Sequence, residues 1–252
     1  MVKTAAEIRK KMQQGQASLG TWMQFGCTDV AEILGASGYD WVAVDLEHGG
    51  FSRQQLADLF RAIENGGAAP FARVAESSMV LVRSALDAGA RGIILPMIAS
   101  RSQLESIVQH IFYPPQGGRG VGYCRANMFG RDFTAYLNGP SRETLVVAMI
   151  EHVDAIEHLD GILTVPELDA IMVGPYDLSG SMGVPGQFNN PEFEQAMSAI
   201  AAAAKKHGVP MGAHVVQPDP KLLKQRMAEG YSFLAYGIDA VFLYNGSQCP
   251  DI

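Results

Sequence analysis

One pattern constrains this chain more than any other: a short apolar run followed by an amphipathic stretch, repeated eight times. The runs fall at residues 18–24, 41–45, 70–74, 92–96, 144–150, 170–174, 210–214 and 232–235. Several are almost unbroken, LVVAMI before Glu151 among them. Such runs suit strands covered on both faces, and their alternation with helices predicts a parallel sheet with crossover connections. An open doubly wound sheet that binds a dinucleotide would carry a G-x-G-x-x-G turn after its first strand. Gly26-Cys27-Thr28 is no such turn. No linker or internal repeat interrupts the pattern. The expected fold is therefore one α/β domain over residues 1–252, a (β/α)8 TIM barrel, with an extra N-terminal helix at about 4–14 to cover its floor.

Helix boundaries are written in the side chains. Thr4 with Glu7, and Ser52 with Gln55, have capping-box spacing, and Asp219-Pro220 reads as an N-cap and first helical residue. Gly15, Gly66, Gly89, Gly208 and Gly230 fall where helices should stop. The longest irregular part, 97–142, holds a helix near 102–110 and then YPPQGGRGVG. It is expected to fold over the mouth of the barrel or onto a neighbouring subunit.

Composition excludes several classes of function. Hydrophobic residues make up 48% and charged residues 18%, enough for a large core. With a net charge of −7 and no basic cluster beyond Lys10-Lys11 or Lys205-Lys206, nucleic acid is not an expected partner. No run reaches the roughly 18 apolar residues of a membrane span. The start MVKTAAEIRKKMQQG lacks a signal-peptide pattern, and Cys27, Cys124 and Cys249 match neither a disulfide framework nor a zinc signature. The expectation is a soluble, reduced, cytoplasmic protein.

In this fold chemistry sits at the C-terminal ends of the strands. Those ends read Trp22 and Gln24, Asp45-Leu46-Glu47-His48, Arg73, Pro96, Glu151-His152, Gly174-Pro175-Tyr176-Asp177, His214 and Tyr236. Glu151 and Asp177, on adjacent strand ends, suit a hard divalent cation such as Mg²⁺ or Mn²⁺, or else act as unrelated caps and ion-pair partners. His48 can be a base oriented by Asp45 three residues earlier. Arg73 either holds an anionic substrate group or closes a rim salt bridge to Glu47 or Asp45. The lysines (Lys3, Lys10, Lys11, Lys205, Lys206, Lys221 and Lys224) all fall on expected helices or the N-terminus, which disfavours Schiff-base chemistry. No Gly-rich loop follows the last two strands, so a phosphorylated substrate is disfavoured too. His110, His158 and His207 read as helix-surface residues, and His152 and His214 as rim positions without an assigned role.

At these motifs the sequence resembles the class II pyruvate aldolases of the HpcH/HpaI aldolase/citrate lyase family, of the 4-hydroxy-2-oxoheptanedioate aldolase type. The resemblance runs from LGTWMQFG at Leu19 to about Asp239. It rests on YDWVAVDLEHG (Tyr39–Gly49), the Arg of PFARV, LDAGARGIILPM (Leu86–Met97), YPPQGGRGVG (Tyr113–Gly122), MIEH (Met149–His152) and VGPYDLSGSMG (Val173–Gly183). It implies that Glu151 and Asp177 bind a divalent cation (Mg²⁺, Mn²⁺ or Co²⁺) and that Arg73 holds the keto oxygen of a 2-oxo acid. The backbone of Gly174, Pro175, Tyr176 and Asp177 would receive the carboxylate, and Trp22 would line the pocket. His48 would be the base, oriented by Asp45 and by Asp87 of a neighbouring subunit.

The implied reaction releases pyruvate and an aldehyde from a 4-hydroxy-2-oxo acid, in a homohexamer built as a dimer of trimers. Alternatives are an oxaloacetate decarboxylase or condensing enzyme using the same enolate, and a non-catalytic barrel that binds a 2-oxo acid. Two departures stand out. Some members have a pyruvate-contacting Gln where this chain has Met149, and NGSQCPDI stands where the family usually has a final helix.

Overall fold

A computed structural model describes residues 2–50 and 52–250. Its eight parallel strands close into a barrel in chain order, each hydrogen-bonded to the next and β8 to β1. The strands are β1 (Ser18–Met23), β2 (Trp41–Asp45), β3 (Ala69–Arg73), β4 (Gly92–Leu95), β5 (Leu145–Ile150), β6 (Ala170–Val173), β7 (Met211–Val215) and β8 (Phe233–Ile238). All eight fall on the apolar runs. Only β8 differs much, extending three residues past its run. Gly237, at φ +68°, and a register shift of β1 against β8 between Gly20 and Trp22 carry the pairing past the break in apolar character.

The helices before the long excursion are α1 (Ala5–Gln13), α2 (Thr28–Ala36), α3 (Arg53–Gly66), α4 (Met79–Ala88) and α5 (Arg101–Val108). Within and after it come α6 (Phe133–Asn138), α7 (Val153–Glu157), α8 (Leu159–Ile162), α9 (Pro175–Ser181), α10 (Pro191–His207), α11 (Pro220–Ala228) and α12 (Asp239–Gly246). Both capping boxes form, and Asp219 caps α11 through the backbone N–H groups of Lys221 and Leu222. Helix α3 continues through Gly66 and stops at Gly67, which takes the left-handed conformation at φ +109°. Gly66 serves packing instead: a Cβ there would lie 2.5 Å from the backbone of α2 at Gly35 and Ala36. A short final helix, α12, does follow β8, so NGSQCPDI does not wholly replace it; Asp251 and Ile252 lie outside the described residues.

Strand periodicity divides the apolar residues into two layers. Val42, Val44, Val146, Ala148 and Ile150 face outward, into the core beneath the helices. Trp41, Ala43, Phe71, Leu145, Val147 and Phe233 face inward and fill the barrel, where α1 plugs the floor with Ala5, Ile8 and Met12. Trp41 stacks on Phe233 at 4.4 Å between ring centres and on Phe71 at 5.4 Å. Gly20 leaves room for that indole, since a Cβ at 20 would sit 2.0 Å from it. The 97–142 excursion packs beside α4 rather than over the mouth: Arg119 reaches Asp87, and Arg125 reaches Glu64 and the carbonyl of Ala88.

Candidate active site

The alternation that builds the barrel's interior also builds its mouth. On β2 the inward series Trp41, Ala43 ends at Asp45; on β3, Ala69 and Phe71 end at Arg73; after β5, Leu145, Val147 and Met149 lead to Glu151. Asp45 and Arg73 are direct register partners on adjacent strands. They form a two-point ion pair, Nε to Oδ1 at 2.8 Å and Nη2 to Oδ2 at 2.7 Å, with Asp45 wholly buried and Arg73 9% exposed. Burial drives the Asp45 carboxyl up, but the hydrogen bonds and charge of Arg73 outweigh it and leave the pKa below its ordinary value. Gln24 adds a third bond through Nε2 at 3.0 Å.

Asp45 therefore orients Arg73, not the ring of His48. From the turn that carries His48, its Oδ1 accepts only backbone N–H groups, those of Glu47 and His48, at 3.2 and 3.4 Å. The His48 side chain is exposed at the mouth and makes no hydrogen bond among the described residues. Glu47, expected only as an alternative ion-pair partner of Arg73, lies 2.9 Å from its Nη1. Burial raises its pKa, opposed by Arg73 and His48 and reinforced by Asp45 and Asp177. Strand parity was the available signal, because 47 continues the inward series 41, 43, 45.

Glu151 is 3% exposed. Its Oε2 accepts the backbone N–H of Met97 at 3.0 Å, and Met97 holds φ +54°, an uncommon conformation for a residue with a side chain. Burial, reinforced by Glu47 and Asp177, pushes the Glu151 carboxyl up to about 7 against the Met97 N–H and Arg73. Beside its other oxygen the backbone is bare: a Cβ on Gly174 would stand 2.3 Å from Oε1. Gly174 then caps α9, with Pro175 in the first turn and Asp177 exposed, its side chain making no hydrogen bond among the described residues. Tyr176 is also exposed and meets Phe188 edge-on at 5.0 Å.

Arg73 lies 4.6 Å over the ring of Trp22, and His214 stacks on that ring at 5.4 Å and 17°. These residues open into a cavity of about 750 Å³ at the barrel mouth, shared by Asp45, Arg73, Glu151 and Asp177. Its far wall is apolar, formed by Val215, Val216, Leu222 and Val241, and no lysine lines it. Among the described residues no three His, Cys, Asp or Glu side chains converge as a ready metal cage. Asp87 does not join this site within the chain. It sits on α4, part-exposed, paired at 2.5 Å with buried Arg119. His152 caps α7 through Nδ1.

A closed eight-stranded barrel with acids and one arginine gathered at its C-terminal rim is the architecture of a (β/α)8-barrel enzyme. The comparisons narrow that class. The family model for HpcH/HpaI aldolase/citrate lyase matches residues 19–246, and the chain belongs to that family. The 2-keto-3-deoxy-L-rhamnonate aldolase of Klebsiella pneumoniae subsp. pneumoniae is 33% identical over 240 residues, covering 93% of this chain and 87% of the relative. A solved HpcH/HpaI aldolase/citrate lyase family protein from Burkholderia cenocepacia J2315 superposes with TM-score 0.89 at 30% identity, over 95% of each chain. The crystal structure of a citrate synthase, SbnG, gives TM-score 0.80 at 29% identity over 94% of this chain and 93% of its own. The protein is an enzyme of the lyase class, and its relatives support aldolase activity. No helix among the described residues is long and apolar enough to cross a membrane.

Proposed function

We propose that this chain, one barrel domain, cleaves or forms 4-hydroxy-2-oxo acids, with pyruvate and an uncharged aldehyde as the partners, and that it uses a divalent cation. The observation that carries the reading is the buried Glu151 and the exposed Asp177 sharing one cavity with Arg73, with no lysine among its lining residues. The donor set fits a hard cation. Glu151 presents Oε1 beside the gap left by Gly174, and Asp177 lies on the next strand's exit; two carboxylates leave positions for water and for the oxygens of a 2-oxo acid. Mg²⁺, Mn²⁺ or Co²⁺ held there would supply Lewis-acid polarisation of the 2-oxo group.

The chain's own residues divide the remaining work. Arg73, fixed by Asp45 through Nε and Nη2 and by Trp22 from the side, would turn its remaining Nη protons toward the oxygen where negative charge develops as the C3–C4 bond breaks. The backbone at Gly174, Pro175, Tyr176 and Asp177 would receive the carboxylate. His48, free at the rim, would accept the 4-hydroxyl proton through water and return a proton to C3. Asp87 of a second copy would reach His48 in a homo-oligomer, a hexamer by the family resemblance; its half-exposed place on the outer wall supports that route. Among the described residues Arg73 is the only arginine or lysine lining the cavity, and it is engaged by two carboxylates, so an aldehyde bearing its own carboxylate meets no free cation among them. This favours 2-keto-3-deoxy sugar acids, the kind of substrate named for the Klebsiella relative.

The test is pyruvate release from a panel of 4-hydroxy-2-oxo acids with and without EDTA and added Mg²⁺, Mn²⁺ or Co²⁺. The expected result is activity that chelation abolishes and a cation restores. Full activity in rigorously metal-free protein, or a pyruvate adduct trapped on a lysine by borohydride, would overturn it.

A further inference from the structure

The proposed chemistry leaves one titratable group in the cavity unused. His214, on inward-facing β7, belongs to the stack Arg73–Trp22–His214 and lines the same cavity as Glu151 and Asp177. Its Nε2 lies 2.9 Å from the carbonyl oxygen of Gly237. A carbonyl only accepts, so Nε2 carries the proton and Nδ1 keeps its lone pair. Burial, aided by the charge of Arg73, holds the pKa down at about 4, so the ring stays neutral through the physiological range.

Nδ1 has no partner among the described residues. The indole Nε1–H of Trp22, on the ring it stacks against, is buried and also unpaired. The unmatched acceptor sits on a ring that lines the cavity, and a hydroxyl there complements it. The position assigns which hydroxyl. Arg73, Glu151 and Asp177 follow β3, β5 and β6 and serve the 2-oxo end, whereas His214 starts the β7–β8 side, where the wall continues as Val215, Val216, Leu222 and Val241.

We infer that His214 is a specificity-determining residue, whose Nδ1 accepts a hydrogen bond from a hydroxyl on the aldehyde side of the cleaved bond. This rests on the aldolase reading above. The class selected is a 2-oxo acid hydroxylated at both C4 and C5, and the aldehyde product is a neutral 2-hydroxyaldehyde.

The experiment compares 2-keto-3-deoxy-L-rhamnonate with its 5-deoxy counterpart, 4-hydroxy-2-oxohexanoate, under the same Mn²⁺ concentration. The readout is the ratio of their kcat/KM values, which is internal to each variant and cancels any general loss of folded enzyme. The wild type should favour the 5-hydroxy acid by about tenfold, the scale of one well-placed hydrogen bond. His214→Leu should bring the ratio near one. His214→Gln, which keeps a donor for Gly237 and an acceptor, should retain part of it. A wild-type ratio near one, or an unchanged ratio in His214→Leu, overturns the assignment. So does a folded His214→Leu protein inactive on both acids, because the ring would then be generally required. If the wild type cleaves neither acid but another 4-hydroxy-2-oxo acid, only this inference falls; if it cleaves none, the aldolase reading falls with it.

Discussion

Phe71 and Arg73 stand two residues apart on the same face of β3, and the barrel treats them in opposite ways. Phe71 stacks against Trp41 near the floor, buried among apolar side chains. Arg73, at the mouth, brings a charge into nearly the same degree of burial, with Asp45 and Glu47 gathered around it. One periodicity produces both ends. What changes is the chemistry at the inward position: below, burial needs only shape; above, each buried charge requires a partner of opposite sign. The floor stabilises, and the mouth concentrates charge that a substrate can use.

Substitutions at these two positions separate the ends most sharply. Phe71→Ala should destabilise the protein by about 3–5 kcal/mol through the cavity left beside Trp41, with little change in kcat per folded molecule. Arg73→Ala should destabilise by a similar amount, about 3–5 kcal/mol, because Asp45 stays buried without its partner, and should also abolish pyruvate release. Adding Asp45→Ala to Arg73→Ala should recover stability but not activity. Arg73→Lys should rescue activity only in part, because a point charge lacks the planar fork. Urea denaturation and pyruvate release on the four proteins decide it. A double variant no more stable than Arg73→Ala would show that the mouth is not held by this pair.

His48 sharpens the comparison from the other side, being at the mouth without being part of its packing. His48→Ala should leave stability unchanged, since the ring is exposed and makes no hydrogen bond among the described residues. Aldol cleavage should fall by roughly 10²–10⁴-fold, the range for a lost general base. Oxaloacetate decarboxylation needs no 4-hydroxyl deprotonation and should survive much better, while failing in Arg73→Ala. Equal losses of both reactions in His48→Ala would remove its assignment as the base.

How much of this was legible in the sequence follows the same division. All eight strands and both capping boxes could be read, because periodicity and capping are local. Parity also brings Asp45, Arg73 and Glu151 to one rim. What parity cannot give is register between strands. Asp45 and Arg73 turn out to be directly paired, so the carboxylate expected to orient His48 is used by the arginine instead. Asp87 was read from resemblance alone; its intrachain partner, Arg119, lies 32 residues away, in the excursion. Glu47 was read only as an alternative ion-pair partner of Arg73, which it is, although it also continues the inward series of β2. Gly66 was read as a stop signal, but close helix packing uses Gly66 and the turn uses Gly67.

The smallest effect lies within the mouth itself, where two groups titrate with opposite consequences. In the metal-free protein Glu151 is raised from 4.5 to about 7, so the folded state binds the extra proton and its contribution to stability is lost as pH climbs through that window. His214 is lowered from 6.5 to about 4, so the unfolded state binds the extra proton and stability is lost as pH falls through that window. The windows overlap and the shifts are similar in size, so the two slopes should largely cancel in the wild type. Each substitution should expose the other's slope. Relative to wild type, Glu151→Gln should gain stability as pH rises from about 4.5 to 7, by as much as about 3 kcal/mol. His214→Phe should show the reverse, losing ground to wild type as pH rises from about 4 to 6.5. Denaturation in EDTA at half-unit pH steps measures both differences. Adding Mn²⁺ should then stabilise wild type at pH 7.5 far more than Glu151→Gln, because the cation takes the place of the proton on that carboxylate. Parallel stability curves for wild type and Glu151→Gln would show that this carboxyl is not held in its buried, charge-crowded setting in solution.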